Sequence, residues 1–163
     1  MPKNAGKIFE EDIKKSIPST CWLYRLRDNA SSFSKGTNTR FTSSNICDYI
    51  VLDDLSKTLF LWELKSTKNT SMPLDMIRGN QIKGLQEARQ HNLVAGFLFN
   101  FRNVDNDTFF MDINNFTAMS RSTGKKSFNI KDLENNNAVK IESTRKRTRY
   151  TYDIKSLVDM VHL

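Results

Sequence analysis

The chain has 163 residues, of which 38% are hydrophobic and 26% are charged. These values are typical of soluble globular proteins and exclude an intrinsically disordered chain. No apolar stretch approaches the roughly 18 residues that a membrane-spanning helix needs, so we expect a cytoplasmic protein with no membrane contact. The length fits one folded domain over residues 1–163.

The net charge of +7 at pH 7 gives the molecule a positive field that attracts polyanions. Nucleic acid is the natural partner for such a field. Net charge alone fits an unspecialised basic surface equally well, so the positions of the charges have to decide between the two interpretations.

A helix, a strand and a long loop are predicted for the first part of the chain. Apolar residues recur at helical spacing over residues 6–16, and Pro18 ends the pattern. Residues 21–27 alternate as a strand does. Residues 28–45 are rich in Ser, Thr and Asn without periodicity, which predicts a loop, and long loops often carry function.

The middle of the chain is predicted to form a hairpin, a helix and a buried strand. Residues 46–52 and 57–65 are two strand-like runs joined by a short turn. Residues 73–92 have the apolar face of an amphipathic helix. Residues 93–101 are nearly all apolar, which indicates a central strand covered on both faces.

The last third adds a strand over residues 108–113, a helix over 114–121 and a closing helix over 153–161. We find no internal repeat. The order of these elements predicts an α/β fold in which helices flank a mixed central β-sheet. The two cysteines, Cys21 and Cys47, lie in apolar runs without metal-ligand spacing, and we expect both to be buried free thiols.

Two carboxylates and a lysine on the predicted hairpin carry the chemistry. Side chains two residues apart on a strand share a face, so Glu63 and Lys65 project together while Leu64 turns to the opposite, apolar side. Pairing of the two strands brings Glu63 beside Asp48. Carboxylates held this close repel each other unless a cation lies between them, and each of these acids is costly to bury in its apolar run.

A divalent metal ion satisfies both acids. Mg²⁺ prefers oxygen ligands and keeps several waters, so one or two carboxylates with an amide or carbonyl oxygen suit it. Such an ion promotes phosphodiester hydrolysis, and Lys65 is expected to stabilise the transition state or to orient the attacking water. Glu-x-Lys in a strand is common on exposed faces, so this motif alone is a weak signal.

The motif belongs to a longer pattern that resembles a known family. Asp48 with Glu63-Leu64-Lys65 resembles the PD-(D/E)xK nuclease superfamily, with Cys47 where the named proline would stand. The wider pattern resembles the RecU Holliday junction resolvases of Gram-positive bacteria and their phages. Its segments are Gly6 to Glu10, Asp48-Tyr49, Trp62 to Asn69, Met72 to Leu74, Gln81 and Arg149 to Ile154.

The resemblance implies a restriction-endonuclease-like core, a homodimer and branched DNA as substrate. It implies metal ligation by Asp48, Glu63 and Gln81, with Mg²⁺ as the cofactor and Mn²⁺ as a substitute. It also implies transition-state stabilisation by Lys65 and a supporting acidic role for Glu10. Without the resemblance, Gln81 would be an ordinary surface glutamine, and Glu10 one of several solvated acids.

Two positions depart from the family pattern. Ile46 stands where the family usually has a threonine near the metal site, and water is expected to replace that contact. A flexible loop at about residues 29–45 occupies the place of the family's stalk, but the family's proline-containing stalk signature is not recognisable there.

Lys and Arg side chains along the path of the DNA are needed for phosphate contacts. We predict contacts by Lys68 beside the site, by Lys35 and Arg40 in the long loop, and by Arg145, Lys146, Arg147 and Arg149 near the end. A solvated basic face is the alternative for the last group. Phe33 and Phe41 are expected to stack on bases or to pack locally.

Two other functions stay open from the sequence alone. One is another PD-(D/E)xK endonuclease that cuts linear duplex DNA. The other is a DNA-binding protein without catalysis, whose acidic cluster binds no metal. Magnesium-dependent cleavage separates the second from the enzymes, and a comparison of branched with linear substrates separates the first.

Overall fold

The computed structural model describes residues 4–27, 44–103 and 105–161. These ranges contain five α-helices and ten strands. They are α1 (Ala5–Ser16), β1 (Cys21–Arg25), β2 (Tyr49–Asp53), β3 (Leu59–Thr67), β4 (Ser71–Pro73), α2 (Gly79–Gln90), β5 (Val94–Phe101), β6 (Asp107–Asp112), α3 (Ile113–Ser122), β7 (Ser127–Asn129), α4 (Ile130–Asn135), β8 (Val139–Lys140), β9 (Ser143–Lys146), β10 (Arg149–Tyr152) and α5 (Ile154–Met160).

Six of the strands form one mixed sheet in the order β1-β2-β3-β5-β6-β8. The central pair β3 and β5 is parallel and the other neighbours are antiparallel. The pairs β4 with β7 and β9 with β10 form two small separate sheets. Helices cover both faces of the large sheet, so the predicted α/β fold with a mixed central sheet is confirmed.

The hairpin of β2 and β3 has the predicted pairing, with Tyr49 opposite Trp62. Its turn is stabilised by Asp53, whose carboxylate accepts hydrogen bonds from the backbone N–H and the hydroxyl of Ser56. Lys57 has a φ of 57°, the left-handed conformation that reverses the chain before β3. The turn therefore fixes the register of β2 and β3, and this register determines how the acids of the hairpin lie relative to each other.

Two apolar layers lie on the two faces of the sheet. One layer packs under α2, α3 and α4. It contains a phenylalanine cluster in which Phe97 and Phe99 of β5 and Phe116 of α3 contact one another. The other layer packs under α1 and α5. Every residue of β5 is buried, which confirms the prediction of a strand covered on both faces.

The helix predicted over residues 73–92 begins later than expected. Pro73 belongs to β4, which pairs with β7, and a single 3-10 turn at Leu74–Met76 follows it. The backbone N–H of Leu74 donates to the carbonyl of Lys126, which holds this segment against a distant part of the chain. The α-helix therefore starts only at Gly79, because long-range pairing overrides the local apolar pattern.

One smaller expectation, the burial of both cysteines, is corrected, and two features were not foreseen. Cys47 is buried as predicted, but Cys21 is only partly buried because β1 is the first strand of the sheet. Asp12 of α1 is buried and accepts a hydrogen bond from Arg149 Nε at 2.6 Å. The hairpin of β9 and β10 was not predicted from the sequence. No described helix is both long enough and apolar enough to cross a membrane.

Candidate metal centre and active site

Asp48 lies beside the part of β3 that carries Glu63. Its backbone N–H donates to the carbonyl of Trp62 at 3.0 Å, and its carboxylate accepts the backbone N–H of Leu64 at 2.8 Å. These two bonds flank Glu63 in the sequence. The geometry thus brings together the two acids that strand periodicity places on the hairpin, although β2 itself starts one residue after Asp48.

Glu63 is held by donors from its own strand and from α2. Its Oε1 atom accepts from Lys65 Nζ at 2.8 Å and from Gln81 Nε2 at 2.5 Å. Glu63 is 4% exposed, and Gln81 is also buried. Lys65 thus lies on the same strand face as Glu63, as the spacing of two residues requires.

The electrostatics of this site favour the binding of a further positive charge. Burial, followed by the charge of Asp48, raises the pKa of Glu63 to about 7. The pKa of Asp48 is also raised, chiefly by burial, although the hydrogen bond from Leu64 N–H opposes the shift. The one ammonium group of Lys65 lowers both pKa values without restoring them to the usual range. A cation held between the two carboxylates would stabilise their ionised forms.

Gln81 reaches the site from the first turn of α2. Its Oε1 atom accepts the backbone N–H of Arg78 at 3.2 Å and completes a capping box, so its Nε2 atom is the one that faces Glu63. An amide binds a metal ion through oxygen. The predicted ligand role of Gln81 therefore requires a rotation of its amide group by half a turn.

A close approach of α2 to the chain segment just before Asp48 sets the distance between this helix and that segment. A methyl group on Gly84 would lie 2.3 Å from Ile46 Cγ2, well inside contact distance. Ile46, which stands where the family has a threonine, is thus a packing residue for α2. Only glycine at position 84 allows Gln81 to sit this close to the acids of the sheet.

Glu10 enters the site from α1 and is fixed by residues that the sequence analysis missed. Arg25 donates from Nε at 3.1 Å and from the guanidinium end at 2.9 Å to the same carboxylate oxygen of Glu10. The hydroxyl of Tyr49 donates to the Glu10 carbonyl at 2.9 Å. Glu10 also acts electrostatically on Asp48, raising its pKa. An arginine in the aromatic strand β1 was the one available signal for this contact.

Those predicted DNA-contact residues that the structure describes lie in two places. Lys68 is exposed just after β3, and Arg145, Lys146 and Arg147 are exposed on the hairpin of β9 and β10. Lys35, Arg40, Phe33 and Phe41 lie outside the described residues.

Arg149 is placed differently from the other members of the basic run. Its guanidinium binds Asp12 at 2.6 Å and Glu11 at 3.1 Å, which ties β10 to α1. Arg149 therefore has a structural role as an ion-pair partner of the first helix, and its contact with DNA stays a prediction.

The donor set of this site is small. Within the described ranges no three His, Cys, Asp or Glu side chains form a group that could hold a metal ion by themselves. The available donors are the two carboxylates, an amide and water, which is a set that suits Mg²⁺ better than a metal that requires an all-protein cage.

Comparison with known proteins places these residues in a family. The family model described as RecU, Recombination protein U, matches residues 4–156. The SPbeta prophage-derived protein YotM of Bacillus subtilis (strain 168) is 32% identical over 169 residues, covering 94% of this chain and 85% of that protein.

Among solved structures, Hjc of Archaeoglobus fulgidus, a Holliday junction resolvase from an archaeal hyperthermophile, has a similar fold. The TM-score is 0.51 at 16% identity, and the match covers 83% of this chain and 95% of Hjc. At this level of identity the likeness concerns the fold.

Proposed function

Because the chain belongs to the Recombination protein U family, we propose that it is an endodeoxyribonuclease that resolves four-way DNA junctions. The observation that carries the proposal is the meeting of the partly buried Asp48 and the buried Glu63 beside the ammonium group of Lys65. The fold shared with the junction resolvase Hjc supports a four-way junction as the substrate.

The donors at this site fit Mg²⁺, with Mn²⁺ as a substitute. Asp48 and Glu63 would hold the ion through carboxylate oxygens, and Gln81 would join them once its amide oxygen faces the site. Two carboxylates are enough, because Mg²⁺ keeps several waters in its shell. The raised pKa values of both acids support this fit. When bound, such an ion supplies Lewis acidity and lowers the pKa of water next to the scissile phosphate.

The protein side chains have separate tasks in this proposal. Lys65 offers a fixed positive charge to the phosphoryl oxygens as negative charge builds up on them in the transition state. Glu63 orients that ammonium group through the contact of 2.8 Å. Glu10, held by Arg25, supports the reaction through its carboxylate, which orients a water molecule or accepts its proton as a general base.

The basic residues would hold the DNA across the site. Lys68 and the exposed residues Arg145, Lys146 and Arg147 are suited to phosphate contacts, which are independent of sequence. A four-way junction has approximate two-fold symmetry and is resolved by cuts in two strands, so a symmetric homodimer would offer two sites in matching orientation. Such an enzyme would act in the cytoplasm of a bacterium or of a phage-infected cell.

A cleavage assay on matched substrates tests the proposal. With Mg²⁺, the full chain should nick a synthetic four-way junction symmetrically and leave a linear duplex of the same sequence largely intact. Mn²⁺ should support the reaction and EDTA should abolish it. Equal cutting of junction and duplex would instead indicate a general endonuclease, and binding without any cleavage would indicate a DNA-binding protein.

A further inference from the structure

Two aromatic side chains of β1 lie on the surface rather than in the core. Trp22 is 52% exposed and Tyr24 is 47% exposed, whereas Trp62 is fully buried. The rings of Trp22 and Tyr24 lie side by side with centroids 5.9 Å apart and planes 20° apart. Large exposed aromatic surface is costly in water and marks a place where another molecule binds. We call this pair the aromatic platform.

The aromatic platform shares a sheet face with the acidic site. Tyr24 pairs with Ile50, and Ile50 pairs with Leu61, so these three side chains point to one side of the sheet. Glu63 is two residues further along β3 and therefore points to the same side. Tyr24 and Glu63 are separated by two strand spacings across the sheet and by two residues along the strand, which gives a distance of about 12 Å. The distance from Trp22 to Glu63, obtained in the same way, is about 17 Å.

This separation matches a short stretch of nucleic acid. A duplex strand rises about 3.4 Å per nucleotide, so the aromatic platform lies about three to five nucleotides from a phosphate at Glu63. Base stacking on aromatic rings accepts every base, because each base has a flat π surface. The polar tips of Trp22 and Tyr24 can remain in water while their ring faces are covered.

The charge of the protein and the position of this surface favour DNA as its occupant. The chain carries a net charge of +7, which attracts a polyanion such as DNA. β1 is also joined directly to the site, because the N–H of Leu26 donates to the carbonyl of Asp48 at 2.9 Å. A base stacked on Trp22 or Tyr24 would thus be held close to a chain segment that is hydrogen-bonded to the backbone of Asp48.

We propose that Trp22 and Tyr24 form a stacking platform for unpaired or branch-point bases a few nucleotides from the scissile phosphate. The platform selects DNA whose bases can leave the helical stack, which a continuous linear duplex provides only at its ends. This inference rests on the proposed function for its ligand, DNA. It adds a reason why branched substrates would be preferred that does not involve the long loop.

Intrinsic fluorescence tests the platform directly. The chain has two tryptophans, Trp22 and the buried Trp62, so DNA can contact only the first of them. In EDTA, where no cleavage occurs, a four-way junction or a single-stranded oligonucleotide should quench the emission of the full-length protein. A duplex closed by hairpins at both ends, which offers no free base, should quench it much less. The variant Trp22→Phe should lose the quenching and keep most of its DNA affinity, since a ring remains.

Affinity measurements on matched variants complete the test. Trp22→Ala with Tyr24→Ala should weaken junction binding about 10-fold to 100-fold, and Trp22→Phe with Tyr24→Phe should restore it. Leu55→Ala is the control, because Leu55 is 70% exposed in the turn between β2 and β3 and has no ring. Its affinity should match that of the unaltered protein.

The possible results separate the platform from its alternatives. Unchanged Trp22 emission on saturation with junction DNA, together with unchanged affinity in the double alanine variant, would overturn the proposal. So would a sedimentation shift that depends on Trp22 and Tyr24 and occurs without DNA, because it would assign the surface to a second copy. Junction cleavage without any change in Trp22 emission would support the proposed function and contradict the platform. A change in Trp22 emission without cleavage would support the platform and contradict the proposed nuclease activity.

Discussion

Glu63 and Asp12 are two acids with nearly equal burial and different surroundings. Glu63 is 4% exposed and Asp12 is 3% exposed. Asp12 accepts from Arg149 Nε at 2.6 Å and from the backbone N–H of Tyr150 at 3.2 Å, a set of contacts that joins the first helix to the last hairpin. Glu63 has Lys65 at 2.8 Å but also a second carboxyl, Asp48, nearby. Burial, followed by the charge of Asp48, raises the pKa of Glu63 to about 7 in spite of that ammonium group.

The comparison shows that burial of an acid does not by itself indicate function. The balance of charge around it does, because a paired acid stabilises the fold, whereas an acid beside another acid destabilises it until a cation arrives. Three variants, Glu63→Gln, Asp12→Ala and Gly84→Ala, sharpen or break this contrast.

The largest expected effect concerns cleavage. Glu63→Gln keeps the shape of the side chain and removes its charge, and we expect a loss of junction cleavage of at least about 1,000-fold, since the metal would lose a ligand. Binding in EDTA should be equal or tighter, because a negative charge is removed from the DNA-facing site. Single-turnover cleavage and fluorescence anisotropy measure the two quantities. Substantial cleavage by this variant would eliminate the proposed metal centre.

The next effect concerns the stability of the paired acid. Asp12→Ala leaves Arg149 without its main partner and removes an acceptor from Tyr150 N–H, so the free energy of unfolding should fall by about 2 to 4 kcal/mol. The pair is partly open to solvent on the side of Arg149, which keeps the expected loss below that of a fully buried pair. Urea denaturation measures it, with the exposed neighbour Lys14→Ala as the control. A change below about 0.5 kcal/mol would break the contrast.

Glu63 should have the opposite effect on stability when no metal is present. Its folded-state pKa of about 7 lies above the ordinary value of 4.5, so folding favours the protonated form. The free energy of unfolding in EDTA should therefore fall as the pH rises from about 4.5 to 7, and Glu63→Gln should be more stable than the unaltered protein at pH 8, by about 1 to 3 kcal/mol.

Magnesium should reverse that difference. At pH 8, Mg²⁺ should raise the thermal midpoint of the unaltered protein and leave that of Glu63→Gln nearly unchanged, since binding to the folded state alone stabilises it. Differential scanning calorimetry in EDTA and in Mg²⁺ gives both values. An unaltered protein that gains stability with pH in EDTA would contradict the raised pKa.

The smallest effect concerns the packing of α2. Gly84→Ala would force Ile46 and the helix apart, because the added methyl group would lie 2.3 Å from the Ile46 side chain. We expect a loss of about 1 to 3 kcal/mol in stability and a drop in cleavage through displacement of Gln81. Gly79→Ala is the matched control, since a methyl group there meets nothing within 4 Å. Equal behaviour of the two variants would show that the close approach is not required.

Much of the site could be predicted from local patterns. Period-two alternation places Glu63 and Lys65 on one face of a strand whatever the rest of the chain does. The short turn after residue 52 makes the next strand its neighbour, so Asp48 and Glu63 converge. These are local geometric consequences, and the observed hairpin agrees with them.

Other features depended on contacts between distant residues. Arg149 and Asp12 are 137 residues apart, so the sequence did not show that one member of the basic run pairs with the first helix. The helix start at Gly79 depends on the pairing of β4 with β7. Neither contact leaves a periodic signal in the sequence, because each is made by a few side chains on separate elements.

By itself, the sequence determined the α/β class, the hairpin and the acids that it carries, since hydrophobic periodicity and residue spacing act over a few neighbouring residues. Only the tertiary structure decided that Asp12 has an arginine as its neighbour and that Glu63 has a second carboxyl group beside it. It also decided that Trp22 and Tyr24 remain exposed. Alternation tells which side chains share a face of a strand, but the coverage of that face depends on where the helices pack.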